Sequence, residues 1–284
     1  MNKSVLISGY GSIGRRHVNI LSKLVKKKNI TILTNQKLSN FRTIKTLKAL
    51  NEVDPYYIVI CNPTSDHIKK ISFIEKNCRN KFVLVEKPLF SKPDKINIKN
   101  NKYYVGYSLR FNPIINFLKK KLKSKKIWNV NLFCGSYLPD WHPWENYKDF
   151  YMSKKEQGGG ALMDESHGID LVRYIIGDID KVSAMVGNTS DLDMTSDDAA
   201  LLTCKMKSGS LVPMHFDLSS RVPIKNFEIT GKEGSIIWES VDHQLKIFTI
   251  KSKKWEIIQF SKDSVVDMYQ DQARHFYDCV YNGH

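Results

Sequence analysis

The stretch "VLISGYGSIGRRH", Val5 to His17, decides the reading of the fold. A short apolar run, Val5 to Ser8, leads directly into Gly9-Tyr10-Gly11-Ser12-Ile13-Gly14. Beyond it Ile13, His17, Ile20, Leu21, Leu24 and Val25 recur at helical spacing, which predicts a helix over 12–26. Strand, G-x-G-x-x-G and helix in that order form the turn that takes a dinucleotide pyrophosphate. Gly9 permits the tight turn, Gly11 lets backbone approach the phosphates, and Gly14 lets helix and sheet pack closely. The helix start adds N–H donors and a positive dipole end. Gly9, Gly11, Ser12, Ile13 and Gly14 are therefore the expected cofactor cradle.

The rest of the first third follows the same grammar. Ile30 to Leu33, Tyr57 to Cys61, Phe82 to Val85 and Val105 to Ser108 read as apolar strands. Thr43 to Leu50 and Ser65 to Asn77 read as helices between them. Continuous apolar strands alternating with helices predict a parallel sheet covered on both faces. After residue 110 the pattern changes. A helix follows Pro113, a strand runs near Asn129 to Tyr137, and an aromatic loop precedes a second helix. Strands then dominate, with turn signals at Ser208-Gly209, Gly231 to Gly234 and Lys251 to Lys254, before a closing helix from Val265 to Tyr281. The expected fold is α/β. A doubly wound Rossmann domain spans 1–110, and an α+β domain with an open, mostly antiparallel sheet spans 111–284.

Composition bounds the alternatives. The chain has 284 residues, 42% of them hydrophobic and 26% charged, enough for two ordinary cores without staples. No apolar stretch is long enough to cross a bilayer, and the first residues lack the flanks of a signal peptide. The five cysteines are scattered with no C-x-x-C pair, which fits reduced thiols in a cytoplasmic protein rather than disulfides or a zinc site. The formal net charge is +15. Most of it is Lys in short runs with no RNA-binding aromatics beside them, so a solvated surface or an anionic small substrate is expected and no nucleic acid.

An acid about twenty residues past the glycines selects NAD by binding the ribose hydroxyls. Here Asn35 holds that place, with Lys37 nearby. Asn bonds a hydroxyl without repelling a 2′-phosphate, so NAD and NADP both remain open.

Four further stretches stand in order: "VICNPTSDH" (Val59 to His67), "VEKPL" (Val85 to Leu89), "GYSLRFNP" (Gly106 to Pro113) and "GGGALMDESHGID" (Gly158 to Asp170). With the glycine motif, the chain resembles the Gfo/Idh/MocA family of nicotinamide-dependent sugar oxidoreductases. "YLPDWHPWENY" (Tyr137 to Tyr147) is similar to a subgroup linked to bacterial surface-glycan biosynthesis. The resemblance implies an oxidoreductase moving a hydride between NAD or NADP and a carbon of a sugar or nucleotide sugar. It implies Lys87 and His167 as the catalytic pair with Asp164 as the preceding acid. Asn62, Pro63, His67 and Glu86 fall on the cofactor side. Arg110 falls near the substrate, joined by Trp141 and His142 of the aromatic loop. A homodimer or homotetramer built through the C-terminal sheet is implied as well. Two departures stand out: Asp164 and His167 are three apart where many members have four, and Gly168 replaces an acid. Many members also run past a final helix, so a terminal strand or interface segment is expected to be missing here. The family also holds a non-catalytic regulator and redox-cycling glycosidases, which remain the alternatives.

The chemistry explains the residue types. Oxidising an alcohol removes a hydride and a proton, and the proton needs a base near neutrality. A His at a helix start is favoured in its neutral form. Lys87 polarises the reacting oxygen. Asp164 also reads as an acid balancing a helix dipole, Asp170 and Arg173 as an i, i+3 pair, and His17 as a packed histidine. The aromatic loop reads equally as a cap on the sheet.

Overall fold

The computed structural model describes residues 4–261 and 268–282. They fall into two compact units: the chain up to Ser108 together with Tyr269 onward, and Leu109–Met268. The closing helix, expected in the second domain, belongs to the first unit. Its expected start, Val265 to Asp267, lies outside the described residues.

The first unit is a six-stranded parallel sheet. Its strands are β1 (Val5–Ser8), β2 (Ile30–Leu33), β3 (Arg42–Ile44), β4 (Tyr57–Ile60), β5 (Phe82–Glu86) and β6 (Lys102–Gly106), ordered β3-β2-β1-β4-β5-β6. That is the doubly wound order, with the chain reversing between β1 and β4. The alternation of β1 divides two cores. Val5 and Ile7 face α1 (Ser12–Leu21) and the closing helix, through Val18, Leu21, Phe276 and Val280. Leu6 faces the opposite side with Ile58, Ile60, Ile71 and Ile74.

Two expected helices change. α1 stops at Leu21, five residues short. The segment 43–50 is not one helix: β3 forms an edge strand against β2, and a 3-10 turn at Leu47–Ala49 leads into α2 (Leu50–Val53). Edge pairing of β3 with Thr31 to Leu33 outweighs the local helical pattern. The helix expected over 65–77 is α3 (Thr64–Asn77).

A buried carboxylate holds the loop that leads into β6. Glu75 of α3 accepts the backbone N–H groups of Lys99 and Asn100, both at 2.6 Å, the Asn101 amide at 3.0 Å and the Tyr103 hydroxyl at 3.1 Å. Burial alone would raise its pKa, but these donors outweigh it and hold the carboxyl below the usual glutamate range. A depressed carboxylate pKa gives stability that is full above the unfolded value and lost as pH falls through the folded one. Glu75→Gln should therefore cost about 1–3 kcal/mol at neutral pH. The melting-temperature gap to wild type should close below about pH 4, the unperturbed glutamate range. A gap unchanged between neutral and acid pH would refute the assignment.

The second unit begins at α4 (Pro113–Leu122). Asn112 caps it by accepting Ile114 N–H at 2.8 Å, and Pro113 takes the first-turn place that needs no donor. β7 (Ile127–Tyr137) then enters an eight-stranded sheet. It is completed by β8 (Ile179–Gly187), β9 (Ala199–Met206), β10 (Leu211–Asp217), β11 (Ser219–Gly231), β12 (Gly234–Glu239), β13 (Gln244–Thr249) and β14 (Trp255–Gln259). The order is β14-β13-β12-β11-β7-β10-β9-β8, antiparallel except for β10 beside β7. One face buries Val130, Leu132, Cys204, Val212, Met214 and Phe216 with residues of α4 and the helical segment 161–175. On the other face Met185 is 79% and Leu201 49% exposed, paired across β8 and β9. The five cysteines carry no disulfide among the described residues. No helix among those residues is long and apolar enough to cross a membrane.

Candidate active site

In the first unit the expected cofactor residues gather at the carboxyl ends of β1, β4 and β5. Gly9 has φ +100°, and a Cβ there would stand 2.8 Å from the Cys61 carbonyl oxygen. A Cβ on Gly14 would stand 2.3 Å from the Gly9 carbonyl oxygen. Gly11 is different: a Cβ there meets nothing within 4 Å. Gly11 is also the N-cap of α1, with no side-chain cap and no acid in the first turn. The start of α1 thus has no side-chain cap, and the open space beside Gly11 suits a pyrophosphate. Ser12 and Ile13 supply the next amides.

The neighbouring loop is fixed from below. Ser8 Oγ donates to Asn62 Oδ1 at 2.6 Å. Asn62 is half-buried and Pro63 exposed. Asn35 and Lys37 are both exposed just past β2. His67 departs from expectation. It is 1% exposed, with Nε2 2.9 Å from the Asn62 carbonyl and Nδ1 3.1 and 3.2 Å from those of Pro88 and Leu89. Both ring nitrogens face backbone carbonyls, which ties His67 to the loops after β4 and β5. Glu86 departs as well: its Oε1 lies 2.6 Å from Nε2 of His17, both side chains buried. His17, read as a packed histidine, has a specific polar partner. Lys87, the next residue, stands half-buried at the end of β5.

In the second unit, the helix read as continuous is two. α5 (Ala161–Asp164) and α6 (Ser166–Ile175) meet at Glu165. Gly158 ends the preceding turn at φ +81°, and the other two glycines of the run are tightly packed. A Cβ on Gly159 would strike the Tyr151 and Met152 carbonyls at 2.2 and 2.3 Å, and one on Gly160 would strike Asp197 Oδ1. Asp197 caps α5, accepting Leu162 N–H at 2.9 Å on its side chain. Asp164 is buried and accepts the Tyr151 hydroxyl at 2.9 Å. It closes α5 and so does not sit at the start of the helix that carries His167. His167 is the second residue of α6, half-buried, in a first turn without an acid. Gly168 follows because a Cβ would stand 2.6 Å from both Leu132 and Phe216. Any side chain there would have to displace those two residues of the sheet.

Arg110 is bound through Nε and Nη2 to Asp170 at 2.8 and 2.6 Å and lies 5.0 Å over the Tyr174 ring. The expected Asp170–Arg173 pair does not form: Arg173 turns to Asp178 at 3.1 Å. A bidentate guanidinium contact beats a helical i, i+3 one. In the aromatic loop Trp141 is anchored, its Nε1 donating to Ser136 Oγ at 2.9 Å. His142 packs between Trp144 and Phe150, and Trp144 is 76% exposed.

Two residues escaped sequence reading. Tyr151 holds Asp164, and Lys225 of β11 lies 3.5 Å from Glu165. Burial works against the Lys225 cation, but Glu165, Cys134 and Asp164 outweigh it and hold its pKa above the usual lysine value. Beside it, burial pushes the Cys134 thiol up to about 12. Lys225 is about sixty residues from Glu165 in sequence, so only sheet register brings them together.

By fold, then, the chain pairs a dinucleotide-type Rossmann unit with a unit built on an open eight-stranded sheet. Residues 115–237, within the second unit, match the model of the Gfo/Idh/MocA C-terminal domain. Over 218 residues the chain is 28% identical to a levoglucosan dehydrogenase of Pseudarthrobacter phenanthrenivorans, covering 65% of this chain and 56% of that protein. The chain thus spans little more than half the length of that curated relative. A solved levoglucosan dehydrogenase in complex with NADH superposes with a TM-score of 0.80 at 16% identity, over 99% of this chain and 90% of that one. The WlbA dehydrogenase of Chromobacterium violaceum, in complex with NADH and UDP-GlcNAcA, does so with 0.78 at 17% identity, over 99% and 87%.

Proposed function

We propose that the protein is an NAD(P)-dependent oxidoreductase acting on a sugar, and more narrowly on a nucleotide sugar in bacterial glycan biosynthesis. The observation that carries this is the uncapped glycine turn at the carboxyl end of β1, in the same unit as Lys87 at the end of β5. Gly9, Gly11, Ser12, Ile13 and Gly14 would hold the pyrophosphate. Asn35, Asn62 and Pro63 would line the rest, and a bound nicotinamide would exchange a hydride with the sugar carbon. In this reading His167 takes or returns the hydroxyl proton at its imidazole, and the role of Lys87 is to stabilise charge that develops on oxygen. Asp164, held by the Tyr151 hydroxyl at the end of α5, is the acid that precedes His167. Arg110, already bound to Asp170, positions rather than reacts. His142 and Trp144 offer aromatic surface to a sugar ring.

Relatives support the substrate class: one solved neighbour holds UDP-GlcNAcA and another is a levoglucosan dehydrogenase. The net charge of +15 favours an anionic nucleotide sugar over a neutral one. Incubating the protein with NAD and a panel of UDP-sugars tests the reading. Net accumulation of NADH supports it. Glycoside cleavage without NADH would mean a redox-cycling glycosidase, and cofactor binding without turnover a regulator. With Asn35 where an acid would stand, NAD and NADP should bind within about tenfold, below roughly 1.4 kcal/mol. A thousandfold preference by calorimetry would refute that.

The chain is further proposed to self-associate through the open face of the second sheet, in the cytoplasm. Met185, Leu201, Leu211, Trp255 and Ile257 are each about half exposed or more there, an apolar surface that a second copy would cover. A monomer by sedimentation at working concentration would overturn it.

A further inference from the structure

Lys87 acts only if it stands at a fixed place relative to the turn that would hold the cofactor. The residues on both sides of it are pinned by buried histidines. Glu86, immediately before, directs its carboxylate into a slot between α1 and β6. On the α1 side Nε2 of His17 lies 2.6 Å from Oε1, with only 2% and 8% of the two side chains exposed. On the β6 side a Cβ at Gly106 would stand 3.3 Å from that carboxylate, so Gly106 leaves the slot open. Pro88 and Leu89, immediately after, place their carbonyls 3.1 and 3.2 Å from Nδ1 of His67. The other nitrogen of His67 reaches the Asn62 carbonyl, and Asn62 is itself held by Ser8 at the end of β1.

Both clamps end on elements that carry the glycine turn. His17 lies on α1, one turn beyond Gly14, and Ser8 precedes Gly9. We propose that His17 and His67 are positioning residues. Together they form a two-sided clamp that sets where Lys87 stands relative to the cofactor-binding turn. This rests on Lys87 having the role given above, but the clamp itself is a property of the first unit. Neither histidine touches the reacting atoms in this reading.

The test uses the full-length protein and four variants. His17→Leu and His67→Leu remove the contacts. His17→Gln and His67→Gln keep one side-chain donor in each place. Amide hydrogen exchange read by mass spectrometry reports the clamp without any substrate. Each Leu variant should speed exchange over residues 86–90 by about tenfold or more while residues 9–14 keep their protection. NAD affinity should stay within about threefold, because the pyrophosphate turn is intact. With an active sugar, kcat should fall by on the order of 10- to 10²-fold at nearly unchanged KM, the scale of a displaced catalytic group. The Gln variants should recover most of that loss. Unchanged exchange at 86–90 in both Leu variants would overturn the clamp. So would unchanged kcat despite faster exchange, or equal losses in the Gln and Leu variants, which would mark a packing role alone. If no sugar is turned over by wild type, the oxidoreductase reading fails, and the exchange data still decide whether the clamp exists.

Discussion

His167→Ala should lower kcat by on the order of 10²–10⁴ while NAD binding stays almost intact. That range is the usual one for loss of a positioned acid/base. Affinity should survive because the proposed pyrophosphate turn, Gly9 through Gly14, is in a different unit from His167. Lys87→Ala should cost a similar factor for a different reason: it removes the cation that stabilises charge on the reacting oxygen. Combined, the two should cost less than the product of the single losses, the signature of two groups that act on one chemical step. The acid limb of the pH–rate profile, which reports deprotonation of the base, should vanish in the His167 variant. Wild-type kcat in His167→Ala with the true substrate would end the assignment, and His142 would become the next candidate.

The second large effect separates two glycines of one motif. Gly14→Ala should destabilise the first unit and abolish measurable cofactor binding. Its Cβ would lie 2.3 Å from a backbone oxygen, which cannot move without opening the turn at Gly9. Overpacking of this kind costs typically about 1–3 kcal/mol. Gly11→Ala should fold with a wild-type melting temperature, because its Cβ meets nothing within 4 Å. It should still weaken NAD by about a hundredfold or more, roughly 2.7 kcal/mol, because the methyl group fills the space a pyrophosphate needs. Thermal melts and calorimetry on the pair decide the matter. If Gly11→Ala bound NAD normally, that space would not be the cofactor cradle.

The first unit was largely readable in advance because its signals are local. A glycine turn between β1 and α1 has one low-energy use, and apolar strands spaced by helices have few other ways to bury themselves. The exception, residues 43–50, is instructive: a helical pattern yielded to pairing of Arg42 to Ile44 with β2 at the sheet edge. In the site, residue type and order pointed to Lys87, Asp164 and His167. The same reading did not foresee the buried partners of His67 and Glu86, because a motif position does not say where a side chain points.

What the sequence determined by itself is the glycine turn, the alternation that makes a parallel sheet, the later change to an antiparallel one, and the residue types the chemistry needs. What only the tertiary structure decided is which polar groups meet. His17 finds Glu86 across 69 positions, Arg110 finds Asp170 across 60, and Lys225 finds Glu165 through the register of β11. The break at Glu165 and the return of the last helix to the first sheet belong to the same category. Periodicity is written in neighbours along the chain, whereas a buried charge chooses its partner by distance and desolvation after the chain has folded.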